Sequence, residues 1–179
     1  VLLRAEAAFY PEDIASSGIE EFDGDIFDLK QGVFERRQQS SQALLRDMQN
    51  RLAKEPHPKV QQDLQILITS ITDDLATDVI EHDNLLPYYN LHKILFSSFN
   101  ALLDLRNDNS RYPKALDRLK KYTGNAPGFT PISELAIART SERFDVEGLL
   151  GPYRGELEAD LDNAPRYVEG MQSLLERSG

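Results

Sequence analysis

The sequence predicts an all-α fold, an irregular helical bundle of about six or seven helices with antiparallel helix hairpins. Three observations predict it. Apolar residues recur at steps of three and four along nearly the whole chain, which lines one face of a helix. No alternating apolar–polar run of useful strand length appears. No period of roughly 20–50 residues repeats, and no low-complexity tract interrupts the chain.

The first predicted helix covers about residues 29–54. Asp28 is its expected N-cap, with Gln31 at the capping-box spacing, and Leu45, Met48 and Leu52 form its later apolar stripe. Pro56 stops it. A second helix follows over about 58–82. Val60, Leu64, Leu67, Ile71, Leu75 and Val79 share one face, and Pro58 suits a first turn in which its missing N–H is not needed. The short turn between the two helices makes them an antiparallel hairpin.

After the aromatic turn Asn84-Leu85-Leu86-Pro87-Tyr88-Tyr89-Asn90, the residues Leu91, Ile94, Leu95, Phe96, Phe99, Leu102 and Leu103 predict a helix apolar on most of its circumference. Such a helix is central and surrounded. A shorter helix starts near Tyr112, runs through Leu116, Leu119 and Tyr122, and ends at Gly124 in a left-handed cap. Thr130-Pro131 reads as an N-cap followed by a first-turn proline, opening a helix to about Phe144. Residues 148–152 are a break. In the last segment Leu157, Leu161, Ala164, Val168, Met171 and Leu175 keep heptad spacing. Pro165, however, would clash with the Leu161 carbonyl in a straight helix. Two helices with Asn163 as a cap, or one sharply kinked helix, are expected there.

One domain is expected over residues 1–179: an acidic N-terminal segment 1–28, a helix hairpin 29–82 and shorter helices 83–179. With 20 Lys+Arg against 30 Asp+Glu the net charge is −10. Eight acids against Arg4 put −7 of it in residues 1–29, and six acids against three arginines put −3 in residues 150–179. A net-negative chain with no basic stripe is a poor partner for nucleic acid or anionic lipid. The apolar runs are too short for a membrane span. Cysteine is absent, which removes disulfides, thiolate metal sites and cysteine nucleophiles without choosing a compartment, cytoplasmic or periplasmic. The chain opens on Val with no signal-peptide pattern, so it is expected to be a processed or excised part of a longer protein.

No motif carries a reaction. His57, His82 and His92 include no pair four apart, and Phe96 stands four residues after His92, so they read as surface or helix-end histidines rather than zinc ligands. Glu20-Glu21-Phe22-Asp23-Gly24-Asp25 has the acidity of a calcium loop, but Phe34 occupies the twelfth position counted from Asp23. A solvated turn is the stronger reading. Glu156, Glu158, Asp160 and Asp162 alternate, which scatters them around a helix as solubilising charge. Tyr88, Tyr89, Phe96 and Phe99 fit core packing, or alternatively an apolar pocket. Neither a phosphate-binding glycine loop nor a G-x-S-x-G elbow is present. No catalytic, cofactor-binding or metal residue is assigned.

Five stretches carry a resemblance. They are Leu86-Pro87-Tyr88-Tyr89-Asn90; the helix ending Leu102-Leu103-Asp104; residues 113–124, from Pro113-Lys114 to Thr123-Gly124; residues 149–161, opening Leu149-Leu150-Gly151-Pro152-Tyr153-Arg154-Gly155; and Arg166-Tyr167-Val168-Glu169-Gly170. In that order, with the early Gly18-Ile19-Glu20-Glu21-Phe22-Asp23 and Asp28-Leu29, the chain resembles the N-terminal portion of the bacterial family called domain of unknown function 885. Members of that family resemble helical zinc metallopeptidases, with H-E-x-x-H in the C-terminal half of a longer chain. This sequence lacks the motif, so no catalytic residue carries over and zinc would belong to a full-length parent. The resemblance implies a non-catalytic N-terminal scaffold of a metallopeptidase-like hydrolase, forming one wall of a cleft completed elsewhere. Its partner would then be the missing C-terminal region. The alternative is a free-standing helical interaction module that binds a protein partner or self-associates. The scaffold reading expects an apolar surface left for covering, on the Leu157, Leu161, Val168, Met171 stripe and the Leu85-Leu86-Tyr88-Tyr89 turn; burial of both would favour the self-sufficient module.

Overall fold

Two pairs of long helices carry the architecture, and each pair has its own core. The computed structural model describes residues 2–178. Eight α-helices lie among them: α1 (Leu2–Ala7), α2 (Pro11–Ser16), α3 (Val33–Leu52), α4 (Pro58–Asn84), α5 (Leu91–Leu102), α6 (Pro113–Tyr122), α7 (Ile132–Ser141) and α8 (Arg154–Ser178). No strand occurs among the described residues; Leu85 and Leu150 form one isolated parallel bridge. No helix among them is long and apolar enough to cross a membrane. The fold is the all-α bundle that the apolar spacing predicts.

The α3–α4 hairpin closes over Leu44, Met48, Leu64, Ile68 and Ile71, with Leu75, Leu45 and Leu52 packed alongside. Pro58 stands in the first turn of α4, as expected, and α4 runs two residues past the predicted end. Helix α3 departs from expectation at its start. It opens at Val33 with Gly32 in the left-handed region (φ 68°), so Asp28 is not its cap. Asp28 instead accepts from the Lys30 N–H (2.8 Å) and pairs with Arg36 (2.5 Å). The reason is Leu29, which is buried in the other core, so the chain must turn before the helix can begin.

That second core surrounds α5. Phe99 and Leu102 are each 1 % exposed, packed with Phe27, Leu29, Leu103, Tyr122, Ile132 and Leu174. The expectation of a surrounded α5 holds for this face only, because His92, Lys93, Ser97 and Asn100 stay exposed. Helix α6 ends where predicted, with Gly124 at φ 73°. The Gly124 Cα lies against the next helix's proline: an added Cβ would come 2.6 Å from Pro131 Cδ. Helix α7 begins at Ile132, with Pro131 itself at the N-cap, and ends at Ser141 in three-residue turns rather than at Phe144.

Helix α8 corrects the sequence reading most. It is one continuous helix with Pro165 inside it, not two. The Asn163 side chain donates to the Ala159 carbonyl (2.7 Å) as a mid-helix residue, not as a cap. Packing against α5 holds the segment together: Phe96 meets Tyr167 at 5.5 Å between centroids, and Gly170 lets the Phe96 ring approach so closely that a Cβ would lie 2.5 Å from it. Tertiary burial on that side outweighs the hydrogen bond lost at Pro165.

The described part of the acidic segment, residues 2–28, is folded too. It contributes α1, α2 and a 3-10 turn at Glu20–Phe22, and buries Ala7, Phe9, Ile14, Ala15 and Phe27. Eight helices in place of six or seven follow from these two short ones and the undivided α8.

Candidate functional site

Helix α4 stops at Asn84 because Leu85 takes an extended conformation and pairs with a distant segment. The Leu86 N–H donates to the Leu150 carbonyl (2.9 Å), and the Leu150 N–H donates to the Asn84 carbonyl (2.8 Å). These two bonds hold residues 85–90 beside residues 149–153. Between them, the end of the hairpin and the start of α8 lies a cavity of about 530 Å³.

Its walls are aromatic and aliphatic: Phe34, Leu85, Tyr88, Tyr89, Leu150 and Tyr153. Its polar lining is Arg37, Asp78, Glu81, His82 and Glu156. A second cavity of about 700 Å³ shares Val33, Arg37, Tyr88, Tyr89 and Glu156 with the first, so the two form one cleft between the hairpin and the α5–α8 body. The second reaches down to Glu12 and Ser98.

The cleft is electrostatically negative. Arg37 is occupied: it pairs with Asp78 (2.7 Å) and donates to the Tyr10 hydroxyl. The Tyr88 hydroxyl donates to Asp160 Oδ2 (2.8 Å), and partial burial with Asp160 and Glu156 beside it pushes that hydroxyl up to about 12. His82 stacks on Phe34 (3.7 Å, 12°) and faces Arg143, which donates to the His82 carbonyl at 2.6 Å and to Nε2 at 2.5 Å.

At the floor, Glu12 Oε1 accepts from the Phe27 N–H (2.8 Å) and the Tyr122 hydroxyl (2.5 Å). Tyr122 also meets Ser98 Oγ (3.2 Å), to which Arg118 donates (2.9 Å). Burial raises the Glu12 carboxyl above the usual range, opposed by these hydrogen bonds. Burial and the Glu12 charge raise the Tyr122 hydroxyl as well.

The structure separates the three histidines by role. His57 is exposed at the start of α4, His92 is exposed on α5, and His82 lies in the cleft. Among the described residues no group of three or more His, Asp or Glu could hold a metal ion. The acidic turn is not the solvated one expected. Asp23 is buried on Arg111, Asp25 pairs with Lys121 (2.6 Å), and the Asp25 carbonyl accepts from Arg118 (3.0 Å). Three buried or half-buried cations draw this loop inward.

The alternating acids of α8 are not uniform solubilising charge either. Glu156 and Asp160, four apart, face the cleft, while Glu158 pairs outward with Arg154 (2.7 Å). Tyr88 and Tyr89 line the cleft, whereas Phe96 and Phe99 pack in the core. Of the apolar surface expected, Leu161 and Val168 are exposed, as are Leu85 and Tyr88; Leu157, Met171, Leu86 and Tyr89 are half-buried. Phe34, Arg37, Glu81, Glu12 and Tyr153 were not singled out by pattern, because they come together only through the fold. Chemically the arrangement is a binding cleft: aromatic faces for apolar contact, with carboxylates around them. Family models, curated proteins and solved structures yield no match to this chain.

Proposed function

We propose that this chain is a non-catalytic helical scaffold whose cleft, between the α3–α4 hairpin and the α5–α8 body, is one wall of a binding site completed by another surface. The observation that carries this reading is the mouth of the cleft, where Leu150 and Tyr153 are 67 % and 77 % exposed beside exposed Leu85 and Tyr88. Large apolar side chains grouped at a cavity mark a surface that something covers. The resemblance to the N-terminal portion of the domain of unknown function 885 family supplies the hydrolase context, in which the missing C-terminal region is the covering surface and brings the zinc chemistry.

A neutral dye such as Nile red tests the wall. The chain should enhance its fluorescence saturably, and Leu150→Asp with Tyr153→Asp should abolish most of that signal. Equal enhancement by the double variant would remove the cleft from consideration. The reading frame past Gly179 tests the hydrolase context: a downstream H-E-x-x-H supports it, and a stop codon favours the interaction module.

A second reading has its own observation. Leu161, Val168 and Leu175 recur every seven residues on α8, and all three are exposed, with Leu161 at 71 %. That is half of a heptad seam without a partner, and it suits a free-standing module that packs on another helix. Sedimentation at rising concentration, with Leu161→Glu as the control, distinguishes self-association from a monomer.

A further inference from the structure

We propose that the cavity of about 530 Å³ binds a small organic cation, an ammonium carrying alkyl groups on a compact apolar body. The proposal rests on the cleft being a working surface and names the class of ligand it takes.

Four aromatic side chains, Phe34, Tyr88, Tyr89 and Tyr153, and the His82 imidazole line this one space, and the Phe34 and His82 rings stack on each other. Aromatic faces carry negative electrostatic potential and attract cations that have lost part of their water. An alkylated ammonium is the cation that gives up its water most readily, because its charge is spread over apolar surface. Asp160 sharpens the attraction by accepting from the Tyr88 hydroxyl (2.8 Å), which adds electron density to that ring.

The charges in the lining point the same way. Asp78 is matched by Arg37 at 2.7 Å. Glu81 and Glu156 also line the cavity, and neither has an ion-pair partner among the described residues. An anion entering here would meet both carboxylates. A neutral ligand can use the aromatic walls but leaves both carboxylates unmatched. Among the described residues no group of three or more His, Asp or Glu side chains converges to hold an inorganic metal ion. The volume falls within the range of about 300–1,000 Å³ usual for small-molecule sites.

Choline and its uncharged carbon isostere 3,3-dimethylbutan-1-ol make the probe pair, measured by calorimetry and by amide chemical-shift titration. Choline should bind saturably, and the isostere about tenfold more weakly or worse. The double variant Glu81→Gln with Glu156→Gln should weaken choline about tenfold and leave the isostere unchanged. Tyr153→Ala should weaken choline at least about threefold. All three side chains are exposed, so the variants keep the fold, which a thermal melt verifies. Equal affinity for the two probes, choline binding indifferent to the double variant, or no saturable choline binding overturns the proposal. If choline fails while Nile red still reports the cleft, the ligand class is wrong and the scaffold reading stands; if both fail, both readings fall.

Discussion

Asp23 and Arg111 meet in a two-pronged contact, Nη2 to Oδ1 at 2.6 Å and Nε to Oδ2 at 2.7 Å, with Asp23 only 1 % exposed. The same guanidinium donates to the Ala15 carbonyl (3.2 Å), so α2, the acidic turn and the 3-10 turn just before α6 converge on one ion pair. A buried pair adds little over an apolar substitute, but halving it strands a charge. Asp23→Ala or Arg111→Ala should each cost about 3–5 kcal/mol in urea melts. A loss below about 1 kcal/mol would mean that water reaches the pair.

Phe99 contacts both Leu-rich and aromatic neighbours in the α5 core and lies 6.1 Å from Tyr122 between ring centroids. Phe99→Ala should cost about 3–5 kcal/mol, measured by denaturant unfolding. A near-neutral result would place the ring at the surface.

Pro165 sits on the exposed side of α8 and offers no N–H to the Leu161 carbonyl. Pro165→Ala restores that donor and should raise stability, by up to about 3 kcal/mol. An unchanged or lowered unfolding midpoint would show that the flanking turns are strained by the proline and depend on it.

Glu12 makes stability depend on pH with a definite sign. Its folded-state value lies above the ordinary 4.5 because burial disfavours the charge. Its contribution is therefore complete below 4.5 and is lost as pH rises through the raised folded value. Glu12→Gln keeps an oxygen for the Phe27 N–H and the Tyr122 hydroxyl without carrying the charge. The wild type should lose stability relative to this variant as pH climbs from below 4.5 toward neutrality. Parallel stability curves for the two proteins would contradict it.

The helices with long, regular stripes were legible in the sequence. Helix α4 shows five apolar steps behind Pro58, and α6 ends on Gly124, whose positive φ a glycine meets at no steric cost. Helices α1 and α2 were not legible, because six residues are less than two turns and show no period. Asp23 and Asp25 read as solvated because their cations, Arg111 and Lys121, stand far along the chain. The cleft was half visible: Tyr88 and Tyr89 were candidates for a pocket, and Leu149 to Tyr153 open one of the stretches that carry the family resemblance. Phe34, His82 and Glu156 joined them only when the Leu85–Leu150 bridge brought three chain segments together.

The acidic arm also sets an order of events during synthesis. Asp23 and Arg111 are 88 positions apart, Asp25 and Lys121 are 96, and Glu12 and Tyr122 are 110. The arm's charged residues are therefore synthesised before the partners they pair with. At roughly 5–20 residues per second, the arm waits on the order of 5–20 s for them. The α3–α4 hairpin, whose contacts are local, can close meanwhile. Residues 12–25 are thus made well before their partners in the second 3-10 turn and α6, such as Arg111, Lys121 and Tyr122, and the arm docks only once those have emerged to receive it.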